Sequence, residues 1–165
     1  MYGVKTLTRR MRMKIIRKKL IKDPIQFGID LGKNPKSKLQ LLETEGIIPP
    51  CIKIGGGGES HHVITGYYPS IVLDMINEVK ELQATHKYAG IRNVIREKYR
   101  SIFEIMDILT LYRLYFLDES LLSTYLSKSS LSRYQKQRIS DLYDRDLTFK
   151  EVKLGILEIL SDNDI

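Results

Sequence analysis

The chain has 165 residues, 42% of them hydrophobic, and one cysteine, Cys51. That length buries a core without staples, and a single thiol excludes an intramolecular disulfide and a cysteine-rich zinc site. The net charge of +7 is uneven, since residues 1–100 hold 19 Lys and Arg against 9 Asp and Glu while residues 101–165 hold 8 against 11, which points the first part towards a polyanion.

The first 22 residues carry nine basic side chains (Lys5, Arg9, Arg10, Arg12, Lys14, Arg17, Lys18, Lys19 and Lys22) and no acid. Apolar residues at helical spacing predict a basic helix from about Thr8 to Lys22. Such a segment suits phosphate neutralisation with counterion release; a solubilising tail and an anionic membrane surface are its other readings. The charges at Arg17, Lys18, Lys19 and Lys22 break the apolar run a secretory leader needs. No uncharged stretch reaches the roughly 18–20 residues of a membrane span, so no membrane insertion is expected. With one thiol, a reducing cytoplasm is the expected setting.

After Asp23-Pro24 a short apolar piece (Ile25, Phe27, Ile29, Leu31) runs into the turn Gly32-Lys33-Asn34-Pro35, and a helix follows through Glu45. Two short helices around a tight turn outline a helix-turn-helix. Gly46 ends the second helix and Pro49-Pro50 keeps it from resuming. Cys51–Ile54, the glycines Gly55 to Gly58 and His62–Tyr67 then read as strand, loose turn, strand: a hairpin wing. From Pro69 and Ser70 an amphipathic helix places Val72, Met75, Ile76, Val79 and Leu82 on one face, with Asp74, Glu78 and Glu81 away from it. A turn near His86 to Gly90 precedes a helical pattern from Ile91 to about Phe116, long enough to serve in dimerisation. The remainder reads as helical with breaks near Asp118 to Ser120, Ser127 to Ser130 and Asp144 to Asp146. Thr148 with Glu151 marks a capping box for a last helix to about Leu160. The expected fold is mainly α, a winged helix-turn-helix with one small β-hairpin wing followed by a helical C-terminal extension.

The segment Lys38-Leu-Gln-Leu-Leu-Glu-Thr-Glu-Gly-Ile-Ile-Pro-Pro50 resembles the recognition-helix end of MerR-type regulators, which closes with glutamate, a residue, glutamate, glycine, two aliphatics and proline. Gly66-Tyr67-Tyr68 is similar to the wing exit of that family, and Ile71 to Ile95 to its third and fourth helices. The likeness spans about residues 24–100. Leu41 and Leu42 stand where the family usually has two aromatics, and Gln40 and Tyr68 where it has arginines. The resemblance implies a winged DNA-binding domain (24–100) and a helical dimerisation or partner-binding region (101–165), while the basic N-terminal arm or helix (1–23), read from its charges, departs from a family that usually begins almost at its first helix. It implies a transcriptional regulator of duplex DNA, acting as a homodimer through residues 91–116.

On this reading Lys33, Asn34, Lys36, Ser37, Lys38 and Gln40 face a major groove. Asn34 and Gln40 carry the donor and acceptor pair that reads adenine, while the lysines hold phosphate or guanine. Lys53, His61, His62, Tyr67 and Tyr68 bring the wing to the backbone or minor groove, and Arg9, Arg10, Arg12, Arg17, Lys18 and Lys19 let the arm reach a neighbouring one.

The glycine run lacks the spacing of a phosphate-binding loop and opens no helix. His61 and His62 alternate faces on a strand, so no metal site is expected there. No nucleophile stands beside a base and no carboxylate pair at catalytic spacing, so neither enzyme activity nor a cofactor is expected. The rival expectation is a non-enzymatic adaptor, assembly or DNA-organising or segregation protein, which uses the winged domain or the C-terminal helices for a protein partner.

Overall fold

The computed structural model describes residues 15–55, 63–115, 119–143 and 146–161. In chain order its elements are β1 (Ile15–Ile16), α1 (Arg17–Lys22), a 3-10 turn (Pro24–Phe27), α2 (Pro35–Thr44), β2 (Ile52–Gly55), β3 (Ile64–Tyr68), α3 (Ile71–Leu82), α4 (Tyr88–Lys98), α5 (Arg100–Tyr115), α6 (Glu119–Lys128), α7 (Arg133–Tyr143) and α8 (Phe149–Leu160). The fold is mainly helical around a small antiparallel sheet, as expected, and the sheet has three strands in the order β1-β3-β2.

The additional strand corrects the expectation of one helix from Thr8 to Lys22 where it covers Ile15 and Ile16, residues 8–14 lying outside the described ones. Ile15 and Ile16 pair with Tyr68 and Tyr67, and the helix begins only at Arg17. Two adjacent β-branched residues lie readily against a sheet, where β3 satisfies their backbone groups. Ile15 and Leu20 are fully buried, so this part of the expected basic arm belongs to the core. The helix that precedes α2 is therefore α1, and the apolar piece after Pro24 forms only the 3-10 turn before Ile29 and Leu31 enter the core.

Local signals set the bounds of α2. The Asn34 side chain accepts the Ser37 N–H at 3.3 Å, and Pro35 occupies the first turn, where no amide donor is needed. At the other end the Ile47 N–H bonds to the Leu42 carbonyl and the Gly46 N–H to that of Glu43, the paired bonds of a Schellman motif. Gly46 sits there at φ 69°. The wing strands run in the register Ile52↔Tyr67 to Gly55↔Ile64. The predicted amphipathic helix is α3, with Val72, Met75, Ile76 and Val79 buried.

The pattern read as one helix from Ile91 to Phe116 is two. Its first part begins at Tyr88, inside the expected turn, and ends at Tyr99 (φ −109°, ψ 33°), beyond which α5 starts. Tyr99 donates its hydroxyl to Glu78 Oε1 at 2.7 Å, which ties the junction to α3. Ile102, Ile105 and Ile108 are fully buried within the single chain, and α8 packs on α5, on α7 and on β2. The Lys153 ammonium donates to the Lys53 carbonyl on β2 at 2.6 Å. The Thr148–Glu151 capping box is present. A second box, missed in the sequence although its Ser-x-x-Gln pattern is there, opens α7: the Ser132 N–H donates to Gln135 Oε1 at 3.0 Å and the Gln135 N–H to Ser132 Oγ at 3.1 Å.

Candidate nucleic-acid interface

Leu39 and Leu42 anchor α2 in the core, which turns Lys36, Ser37 and Gln40 outwards. Beside that outward face α1, α2 and the sheet enclose an open groove of about 580 Å³. Arg17, Lys18 and Ile21 line it from α1, Lys36, Gln40 and Glu43 from α2, and Cys51, Lys53, Ile64 and Gly66 from the wing. Of the residues predicted to meet DNA, the fold thus gathers Arg17, Lys18, Lys36, Gln40 and Lys53 around one concavity.

Among the described residues Glu43 is the only acid lining the groove, and it is neutralised in place. Arg17 Nε lies 3.1 Å from both Glu43 Oε1 and the Tyr68 hydroxyl, and that hydroxyl donates to the same carboxylate oxygen. Burial, and after it the Glu43 carboxylate, push the Tyr68 phenol far above its ordinary range. The three groups join α1, α2 and β3. With Glu43 matched by Arg17, the charge facing the groove is that of Lys18, Lys36 and Lys53, which have no carboxylate partner among the described residues.

The floor is closely fitted. A β-carbon on Gly66 would stand 2.7 Å from Cys51 Sγ, so only glycine lets the thiol lie against β3. Burial, and next the nearby Glu43, push the Cys51 thiol up, which makes it a packing group and a weak nucleophile.

Other predicted contacts stand elsewhere. Tyr68 is wholly buried and cannot reach a ligand, a correction with a clear cause: its ring fills the core under β3 and its hydroxyl serves Glu43. Tyr67 is half-buried. Lys38 turns inward, its ammonium 3.2 Å from the Tyr88 hydroxyl. The Asn34 side-chain oxygen is occupied as the helix cap. Lys19, Lys33 and Ser37 are exposed outside the groove. Arg9, Arg10, Arg12, His61 and His62 lie outside the described residues.

Sequence reasoning missed the structural use of Glu43, because a glutamate on a short helix reads as solvated until Arg17 and Tyr68 are brought to it. It also missed Ile64, 66% exposed on the groove wall. Among the described residues no group of three or more His, Cys, Asp or Glu is placed to hold a metal ion, and no helix is long and apolar enough to cross a membrane. Comparison of the chain with protein-family models, with curated proteins and with solved structures finds no match.

Proposed function

We propose that this protein binds duplex DNA as a non-enzymatic regulator of the MerR-like type, with the outer face of α2 and the adjoining groove as the contact surface. The observation that carries the reading is the placement of Lys18, Lys36 and Lys53 on three elements around one groove, with the one carboxylate among its described lining residues already paired. Three separated ammonium groups match phosphates along a backbone, and Gln40 offers an amide to a base edge. The lysines supply affinity that falls with salt, and the amide supplies discrimination. A dimer on a palindromic site belongs to the same proposal. Its contact must avoid the inner face of α5, which the chain itself covers.

The test is selection from a randomised duplex pool across a salt series, with alkylation of Cys51 followed in parallel. Cys51 is the one thiol of the chain and lines the groove, so a duplex seated there slows its modification. Enrichment of a short motif together with that protection supports the reading, and a palindromic motif supports the dimer. No binding to any duplex at low salt overturns it. A second reading, the protein-binding adaptor, draws on Val63 and Ile64, which stand 54% and 66% exposed on the wing; it gains if duplex binding fails.

A further inference from the structure

Beyond the groove, the helix proposed to meet DNA is gripped from behind by one stripe of α4. Tyr88, Arg92 and Arg96 are spaced four apart, so they share a face of that helix. All three reach α2 or its end. Tyr88 takes the Lys38 ammonium at 3.2 Å, Arg92 Nη1 donates to the Glu45 carbonyl at 3.3 Å, and Arg96 Nε donates to the Gly46 carbonyl at 2.8 Å.

The two arginines answer a specific need. The Schellman bonds use the Leu42 and Glu43 carbonyls, while the carbonyls of Glu45 and Gly46 are met by guanidinium groups. Cations at a helix C-terminus are favourable in themselves, because they face the negative end of its dipole. Arg96 is held in turn, its guanidinium 4.4 Å from the centre of the Phe103 ring on α5. The position of α2 is thereby referred through Arg96 to α5 and the C-terminal half of the chain. A β-carbon on Gly46 would come within 3.1 Å of Arg96 Nη2, so glycine serves both the turn and the approach of the arginine.

We infer that Arg92 and Arg96 are positioning residues for DNA binding: they fix the angle of α2 on the duplex without touching it. Lys38, drawn to Tyr88, belongs to the same grip. The inference rests on the DNA-binding reading above. Arg96 is itself solvent-accessible, so direct contact with a phosphate is the competing role, and the two roles separate cleanly by substitution. In Arg96→Gln the amide nitrogen occupies the place of Nε, keeping the donor to Gly46 while losing the charge. In Arg96→Met a methyl group occupies that place, so the donor and the charge are both lost.

The experiment measures binding of the two variants and the intact chain to one duplex over a salt series, at a temperature where circular dichroism shows all three folded. Positioning predicts that Arg96→Met binds about tenfold more weakly, that Arg96→Gln, which keeps the bond to Gly46 but loses the cation on the Phe103 ring, falls clearly between Arg96→Met and the intact chain, and that all three share one salt slope. Equal weakening of both variants with the slope reduced by about one overturns the inference in favour of a phosphate contact. Unchanged binding by Arg96→Met also overturns it, reducing the bond to a contribution to stability. If the intact chain itself binds no duplex, the DNA reading fails and this inference with it, an outcome distinct from both others.

Discussion

The Tyr68 hydroxyl donates to the Glu43 carboxylate across 25 residues of sequence, and Arg17 closes the arrangement from a third element. One acid thus holds the wing, the first helix and the proposed DNA-contacting helix in register. Tyr68→Phe removes one hydrogen bond and leaves the ion pair, and is expected to cost about 1 kcal/mol. Glu43→Ala leaves a partly buried guanidinium and a buried hydroxyl without their acceptor, and should cost about 2 kcal/mol. Urea unfolding of the two variants checks both the order and the gap.

Three phenols make stability fall at alkaline pH. Burial first, and then neighbouring carboxylates, raise Tyr68 and Tyr99 strongly and Tyr125 to about 12. In the unfolded chain each titrates near ~10. The native state therefore holds more protons above that pH, so these groups' contribution is complete below about 10 and is lost as pH rises through the folded values. Urea midpoints should be flat near neutrality and drop above pH ~10, with a shallower drop in Tyr68→Phe.

The contact between Cys51 and Gly66 predicts a rescue. Gly66→Ala forces a β-carbon to 2.7 Å from the thiol sulfur and should cost about 1–3 kcal/mol. Adding Cys51→Ala removes that sulfur and should recover much of the loss. Additive costs in the double variant would show that the strain lies elsewhere.

Groove lysines differ in their salt dependence from one held by a side chain behind the helix. Lys36→Gln and Lys53→Gln should each lower the slope of log affinity against log salt by about 0.9. Lys38→Gln should leave the slope unchanged, because that ammonium is committed to Tyr88. Titration of a labelled duplex at several salt concentrations distinguishes them.

The last helix supports the wing. Ile156 is fully buried on α8, which packs on β2 and there meets the Lys53 carbonyl through Lys153. Ile156→Ala should cost about 2–5 kcal/mol. Amide exchange should quicken in β2 and β3 as well as in α8, with a single unfolding transition. Loss of protection confined to α6, α7 and α8 would mean that the two halves unfold separately.

Where the determining physics is local, the sequence is sufficient. Asn34-Pro35 and Gly46 bound α2, Thr148 with Glu151 opens α8, and the spacing of Val72, Met75, Ile76 and Val79 gives α3 its buried face, because caps and periodicity act within one or two turns. The uneven charge is likewise a property of the chain alone. Tertiary structure decided what lies between distant residues. It drew Ile15 and Ile16 into a sheet their helical spacing did not foretell, broke the long pattern at Tyr99 where Glu78 receives its hydroxyl, withdrew Tyr68 from the surface and turned Lys38 onto Tyr88. It also gathered Lys18, Lys36 and Lys53 around one groove. These pairings and contacts join residues 20 or more positions apart, and only packing of the whole chain fixes which partners those are.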